Sequence, residues 1–240
     1  MILKGHIMKL KNGSLDCFIP CRKKGDFINN LNFLELEGLK LVEHSIISAK
    51  KTNLFKNIYL ITNDKIAAKQ LMVKYTYLKF ILVKNTQDPF YMMIKKNNDK
   101  IKNLSQNICV LLPNYPFKTS ETIKKIYFEY KKRKINLIIS ATKINNFLYK
   151  DEGKYIDCIN YSNTARRKKD IKPLFKMGGG IFFYKKNNQD LQRKKFEKKE
   201  TYILDEHESF GIYSLYDFIK ASNLFDIDNS ILKKLIISNN

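Results

Sequence analysis

The sequence is poor in the residues that usually announce metal or redox chemistry. Its four cysteines, Cys17, Cys21, Cys109 and Cys158, form no CxxC pair, and its three histidines, His6, His44 and His207, stand far apart. Zinc sites draw on such side chains at short, regular spacing, so no zinc centre is expected. Cys17 and Cys109 fall in apolar runs and read as buried thiols of a reducing compartment. Long apolar runs are missing as well: nowhere do about 18 apolar residues follow one another, and the apolar start at residues 1–10 is shorter than the core of a secretory leader. A soluble, cytoplasmic protein without a membrane partner is therefore expected. Internal repeats and linkers rich in proline or glycine are absent too, which favours a single domain.

Arginine is the last scarcity. Of 45 basic residues only Arg22, Arg133, Arg166, Arg167 and Arg193 are arginine, yet the formal net charge is +22. Lysine comes with abundant asparagine and isoleucine in every segment, which reads as a chain-wide bias. Nucleic-acid binders concentrate their charge and interleave it with arginine and exposed aromatics. Nucleic acid is thus not the expected partner, although a basic nucleic-acid-binding protein stays as one alternative. The 240 residues, 44% hydrophobic, suffice to bury a sizeable core.

Apolar periodicity supplies the elements. Leu15–Ile19 reads as a buried strand ended by Pro20, and the loop after it carries Arg22, Lys23, Lys24 and Gly25. Helical spacing over Gly38–Lys51 is followed by a strand at Ile58–Thr62, a helix over Ile66–Tyr75 capped by Asn63-Asp64, and a strand at Leu78–Val83. A helix over Asp88–Ile101, a strand at Ile108–Leu112, a helix at Ser120–Lys132 and a strand at Leu137–Ala141 complete the alternation. Strands alternating with helices argue for a mostly parallel sheet covered by helices. From Phe147 to Tyr184 the pattern turns to short polar strand candidates at Tyr155–Ile159 and Gly180–Tyr184, separated by the basic run Arg166–Lys169. The chain then returns through Thr201–Leu204, a helix at Ser214–Ser222 and an amphipathic piece at Ser230–Ile237. In an α/β protein ligands meet the loops beyond the carboxyl ends of strands, so the cationic loop after the first strand is placed for an anion such as a triphosphate.

Several segments, in order, resemble the acylneuraminate (sialic acid) cytidylyltransferases, enzymes that make CMP-sugars. Ile19-Pro20-Cys21-Arg22, with Asn32 ten residues on, is similar to IPARGGSKGIPRKN; IYLITND, ending at Asp64, to VIVSTDD; and Leu111–Thr119 to LLQPTSPLRT. Asp170–Pro173 through Gly179-Gly180-Ile181-Phe182 is similar to DLPPVYRLNGAIY, and Glu206–Phe218 more weakly to EERSIDIDTEEDF. Together they cover residues 15–222. The resemblance implies a three-layer, Rossmann-like nucleotidyltransferase α/β fold with a small antiparallel dimerisation excursion. It divides the chain into a lead-in at 1–14, the main domain at 15–225 with the excursion at about 145–184, and a helical tail at 226–240. It also implies a reaction, attack of a sugar acid's anomeric hydroxyl on the α-phosphate of CTP with loss of pyrophosphate, and with it Mg2+ and a homodimer.

Residue by residue, the resemblance puts Arg22 and Lys24 in catalytic positions on the triphosphate. Arg22, Lys23 and Asn32 would bind the nucleotide, and Lys118, Thr119 and Gly179 the sugar acid. The departures are specific. Asp26 and Leu31 replace family lysines, Leu112 replaces a glutamine, and Gly211 and Tyr213 stand where the family carries the aspartates that hold the metal. Neither can ligate magnesium, which takes hard oxygen donors. Asp205, Glu206 and Glu208 lie close by in sequence. A catalytically impaired protein of the same fold therefore stays open beside the active enzyme.

Overall fold

The computed structural model describes residues 15–23, 28–84, 90–97, 101, 103–144, 146–151, 153, 156–160, 173–186 and 198–226. In chain order come β1 (Leu15–Cys21), a short hairpin of β2 (Glu35–Leu36) and β3 (Leu39–Lys40), α1 (Leu41–Thr52), β4 (Asn57–Thr62), α2 (Lys65–Lys74) and β5 (Leu78–Leu82). Then follow α3 (Phe90–Lys96), β6 (Asn107–Leu111), α4 (Ser120–Lys132), β7 (Leu137–Ile144), the pair β8 (Tyr149–Asp151) and β9 (Ile156–Cys158), β10 (Leu174–Lys185), β11 (Lys199–Ile203) and α5 (Leu215–Asp226). The expected lead-in, the tail beyond residue 226 and the basic run Arg166–Lys169 lie outside the described residues.

Seven strands form one sheet in the order β11-β7-β10-β6-β1-β4-β5. Every neighbouring pair is parallel except the two that β10 makes, with β6 and with β7. The central strands are buried on both faces, which their unbroken apolar runs require. One face packs Cys17, Ile19 and Leu60 against Val42 and Ile46 of α1, Leu71 of α2 and Ile123, Ile126 and Tyr127 of α4. The other packs Phe18, Val110 and Tyr184 against Met93 and Ile94 of α3. A third cluster, Leu36, Leu41, Phe117, Ile212 and Ala221, joins the β2–β3 hairpin to α5.

Local chemistry fixes the helices. In α4, Ile123, Ile126, Tyr127 and Tyr130 are buried, the i, i+3, i+4, i+7 stripe of a one-faced helix. Its N-cap Thr119 accepts the N–H of Thr122 at 3.1 Å. Asp64 caps α2 by accepting from Ile66 and Ala67 N–H, both at 3.0 Å. In α1, Glu43 reaches back to the N–H of Lys40 at 2.9 Å.

Three expectations need correction. Pro20 does not end β1, which runs on to Cys21; pairing with β6 stops at Phe18, so beyond it β1 has a ladder partner on one side only and tolerates a residue without an N–H. The helix expected over Asp88–Ile101 ends already at Lys96 in α3, and residues 88–89 and 98–100 lie outside the described residues. Gly180–Tyr184 belongs to no excursion: it is the core half of a 12-residue strand inserted between β6 and β7. Within the expected excursion, the antiparallel pair outside the main sheet is β8–β9.

Candidate functional site

All parallel strands deliver their following loops to one edge of the sheet, and that edge gathers most of the residues singled out in the sequence. β1 ends at Cys21, and Arg22 and Lys23 leave it directly. The adjacent β4 ends at Thr62 and delivers Asn63 and Asp64 beside them. The Lys23 N–H donates to Asn63 Oδ1 at 3.0 Å, and the Lys23 ammonium lies 3.7 Å from Asp64 Oδ2. The Asn32 side-chain amide donates to the Arg22 carbonyl at 3.3 Å, and the Asn30 N–H closes the loop onto the Lys23 carbonyl at 2.8 Å. Arg22, Lys23, Asn32 and Asp64 thus form one constellation. Lys24 and Asp26 lie outside the described residues.

Asp64 is held below the ordinary carboxylate range, chiefly by the Ala67 N–H at the start of α2, with Lys23 adding to the effect. It stays anionic and orients Lys23, whose side chain remains 56% exposed. Two cations and an amide gathered at the ends of adjacent strands suit a phosphate chain.

The residues expected at the sugar end are placed differently. Lys118 is 2% exposed, and its ammonium donates to Ser45 Oγ at 3.0 Å, to the Leu112 carbonyl at 2.9 Å and to the Tyr115 carbonyl. Burial lowers its pKa to about 7, against a smaller opposing effect of the Cys17 and Cys109 thiols. The expectation that the Lys118 ammonium meets substrate needs correction, because an enclosed ammonium must find acceptors and this one has three inside the protein, although the residue also lines the cavity at the start of α4. Thr119 is the cap of α4 and lies on the wall of a cavity of ≈ 340 Å³ that Ser48, Lys51, Phe117 and His207 also line.

Gly179 sits in a feature that periodicity could not show. Between Met177, opposite Ala141, and Phe182, opposite Ile139, four residues of β10 face the single Ser140 of β7. Gly178, Gly179, Gly180 and Ile181 bulge out at the carboxyl edge, and Ser140 fills the gap. Its Oγ accepts the Ile181 N–H at 2.8 Å and lies within hydrogen-bond distance of the Gly178 and Ile181 carbonyls. Gly179 and Gly180 have φ of +69° and +60°. A Cβ on Gly178 would stand 2.6 Å from Ser209, one on Gly179 2.3 Å from Leu204, and one on Gly180 2.5 Å from the Tyr115 ring. Gly178 and Gly180 are required by their neighbours, and Gly179 by its φ.

Tyr115, missed in the sequence, is the centre of this end. Its buried ring lies against Gly180 and against Gly211, where a Cβ would come within 2.6 Å of it. It meets the Tyr213 ring edge-on, with centroids 6.0 Å apart at 88°, and the two hydroxyls are hydrogen-bonded. Burial and the Tyr213 hydroxyl raise its pKa well above the ordinary value. The Ile212 N–H donates to the Asn114 carbonyl at 2.8 Å, tying the segment to the loop after β6.

Mg2+ does not fit the residues here. Gly211 offers no donor, and the Tyr213 hydroxyl is engaged by Tyr115. Asp205 accepts the Glu208 N–H at 2.7 Å, Glu208 accepts from Thr119 and Thr122, and Asp217 accepts the N–H groups of Tyr213 and Ser214 at 3.0 and 2.9 Å. Among the described residues no group of three or more His, Cys, Asp or Glu is arranged to hold a metal. Among them, too, no helix is long and apolar enough to cross a membrane.

No protein-family model matches the chain. It is 23% identical over 229 residues to an N-acylneuraminate cytidylyltransferase of Streptococcus agalactiae serotype V, a match covering 91% of this chain and 55% of that protein. It is 24% identical over 229 residues to the post-translational flagellin modification protein B of Campylobacter coli, covering 87% of this chain and 96% of that one. The chain spans about half the length of the streptococcal relatives it matches. Among solved structures, a CMP:2-keto-3-deoxy-manno-octonic acid synthetase complexed with CTP superposes with a TM-score of 0.69 at 12% identity, over 89% of this chain and 99% of that one. At that identity the likeness is one of fold, a nucleotidyltransferase fold. In sequence the chain is thus similar, at low identity, to curated N-acylneuraminate cytidylyltransferases.

Proposed function

We propose that the chain is a cytidylyltransferase that binds CTP at the loop leaving β1 and transfers CMP to a sialic-acid-like sugar acid. The observation that carries the reading is the meeting of Arg22, Lys23 and Asn32 with Asp64 at the ends of β1 and β4. It lies on segments that resemble the family, in a chain with the nucleotidyltransferase fold.

In this reading the anomeric hydroxyl of the sugar acid forms the new bond to the α-phosphorus, the bond from that phosphorus to the bridging oxygen breaks, and pyrophosphate leaves with the electron pair. Such chemistry asks the protein for alignment and for positive charge where negative charge builds. Arg22 and Lys23 supply that charge; a cation about 4 Å from a phosphate oxygen contributes on the order of 4 kcal/mol at an intermediate dielectric. Asp64 holds Lys23 in place without touching substrate. Asn32 braces the loop through the Arg22 carbonyl and stands beside the nucleoside end. The acceptor enters near Thr119, beside the cavity at the start of α4.

A homodimer belongs to the same proposal. Tyr149 and Ile159, on and just after the β8–β9 pair, and Phe175 and Met177, on the part of β10 that outruns β6, are large exposed apolar side chains in the region expected to dimerise. Nucleic acid is no partner in this reading.

Purified protein with CTP, Mg2+ and a panel of sugar acids, including N-acetylneuraminate and 2-keto-3-deoxy-octonate, tests it through pyrophosphate release. Release with one of the acids and CTP-dependent thermal stabilisation are expected. Absence of both overturns the proposal.

A further inference from the structure

We infer that this chain holds the phosphates of its nucleotide on fixed side-chain cations and that its described residues build no divalent-cation site, a glycine and a phenol, Gly211 and Tyr213, standing where the resemblance puts the metal ligands. The inference rests on the cytidylyltransferase reading and concerns the ligand chemistry of that site.

The seat itself carries the argument. A cation held by the chain near residues 211 and 213 needs anionic oxygens from a segment free to present them. At Gly211 there is no room for a side chain: a Cβ would stand 2.6 Å from Tyr115 and 2.9 Å from Tyr213. Tyr115 cannot withdraw, because Gly180 backs the other part of its ring, with a Cβ there only 2.5 Å away. Tyr213 brings a phenol in place of a carboxylate, and its hydroxyl is bonded to Tyr115. A phenol is a poorer partner than a carboxylate for a hard divalent ion.

The backbone leaves little freedom to compensate. Ile212 is tied to Asn114, Gly179 donates to the Ser209 carbonyl at 3.3 Å, and Asp217 pins the N–H groups of Tyr213 and Ser214. The neighbouring carboxylates Asp205, Glu208 and Asp217 are engaged in the N–H and O–H bonds that shape this turn and cap α4. Glu206 is exposed and single. A triphosphate still demands positive charge, and the chain offers it at the opposite end of the site, where Arg22 and Lys23 follow β1 and Lys24 comes next in sequence. Magnesium that arrives with the nucleotide is then held by the phosphates alone.

Isothermal titration of CTP into the intact protein, in excess Mg2+ and again in EDTA, tests the inference. The two dissociation constants are expected to agree within about threefold, and Arg22→Ala to weaken binding by about tenfold or more in both buffers. Mn2+ added alone to the nucleotide-free protein, followed by electron paramagnetic resonance, is expected to show no site tighter than about millimolar. CTP binding about tenfold or more weaker in EDTA, or a tight Mn2+ site, overturns this inference and leaves the cytidylyltransferase reading standing. No CTP binding in either buffer removes that reading and this inference together.

Discussion

The Lys118 ammonium and the Ser45 hydroxyl, 3.0 Å apart, bolt the loop after β6 to α1 in the interior of the protein. The lysine's pKa, lowered to about 7 by burial, makes that bolt pH-sensitive. Between the folded value and the higher unfolded one the unfolded chain binds more protons, so this group makes stability rise as pH climbs through that window. Urea denaturation of wild type and Lys118→Met at pH 6 to about 10 checks it. The difference between the two proteins is expected to carry the slope; parallel curves would reject the lowered lysine pKa.

Glu43 works at the acid end. Burial pushes its carboxyl up, but bonds from the Lys74 ammonium at 2.6 Å, the Tyr75 hydroxyl at 2.7 Å and the Lys40 N–H outweigh that and hold it below the ordinary value. Its stabilisation is present above the unfolded pKa and lost as pH falls through the folded one. Glu43→Gln is expected to lower stability at neutral pH by about 1–3 kcal/mol and to lose less on acidification. Melting curves at pH 7 and about pH 4 read both effects.

The glycine bulge makes a steric prediction. Gly179→Ala combines a φ of +69° with a Cβ 2.3 Å from Leu204 and is expected to cost about 2–4 kcal/mol. Adding Leu204→Ala opens space at the contact while creating a cavity elsewhere, so a double-mutant cycle with a clearly favourable coupling identifies the clash. Additive losses would reject it.

Ser140→Ala removes the hydroxyl that bridges the bulge and leaves the buried Ile181 N–H without that acceptor. A loss of about 1–3 kcal/mol is expected, with amide exchange at residue 181 speeding up ahead of the rest of β10. Unchanged exchange there would show that the bulge holds itself.

At the nucleotide end, Lys23→Ala is expected to weaken CTP binding by about tenfold and to leave the melting temperature nearly unchanged, since the side chain is largely exposed. Asp64→Ala removes the α2 cap and is expected to cost about 1 kcal/mol of stability besides. Titration calorimetry and thermal melts separate the two.

Much of this architecture is written in local sequence. Runs such as Ile58–Thr62 and Leu137–Ala141 are buried on both faces and read directly as strands, and Thr119 and Asp64 mark helix starts because their side chains satisfy orphan N–H groups. The pairing of Arg22 with Asn32 is carried by the resemblance of Ile19–Asn32 to the family's loop segment. What stayed hidden depends on distant partners. The glycine triplet breaks the alternation of β10, so its place between β6 and β7 cannot be read from period. Lys118 looks like a surface cation until Ser45, Leu112 and Tyr115 are brought around it, and nothing in the sequence pairs Tyr115 with Tyr213. A small polar residue opposite a glycine run was the available signal for the bulge, and it needs the β7–β10 register to be seen.

The late arrival of β10 has a consequence for biosynthesis. β6 and β7 are neighbours in sequence but are separated in space by a strand made some thirty residues after β7 ends. A growing polypeptide can assemble β1, β4, β5 and β6 as soon as they emerge, while β7 lacks its neighbour β10 until residue 185 has left the ribosome. Pauses in translation before that point expose the flank of β6 to solvent and to other nascent chains, and chaperone capture should peak there.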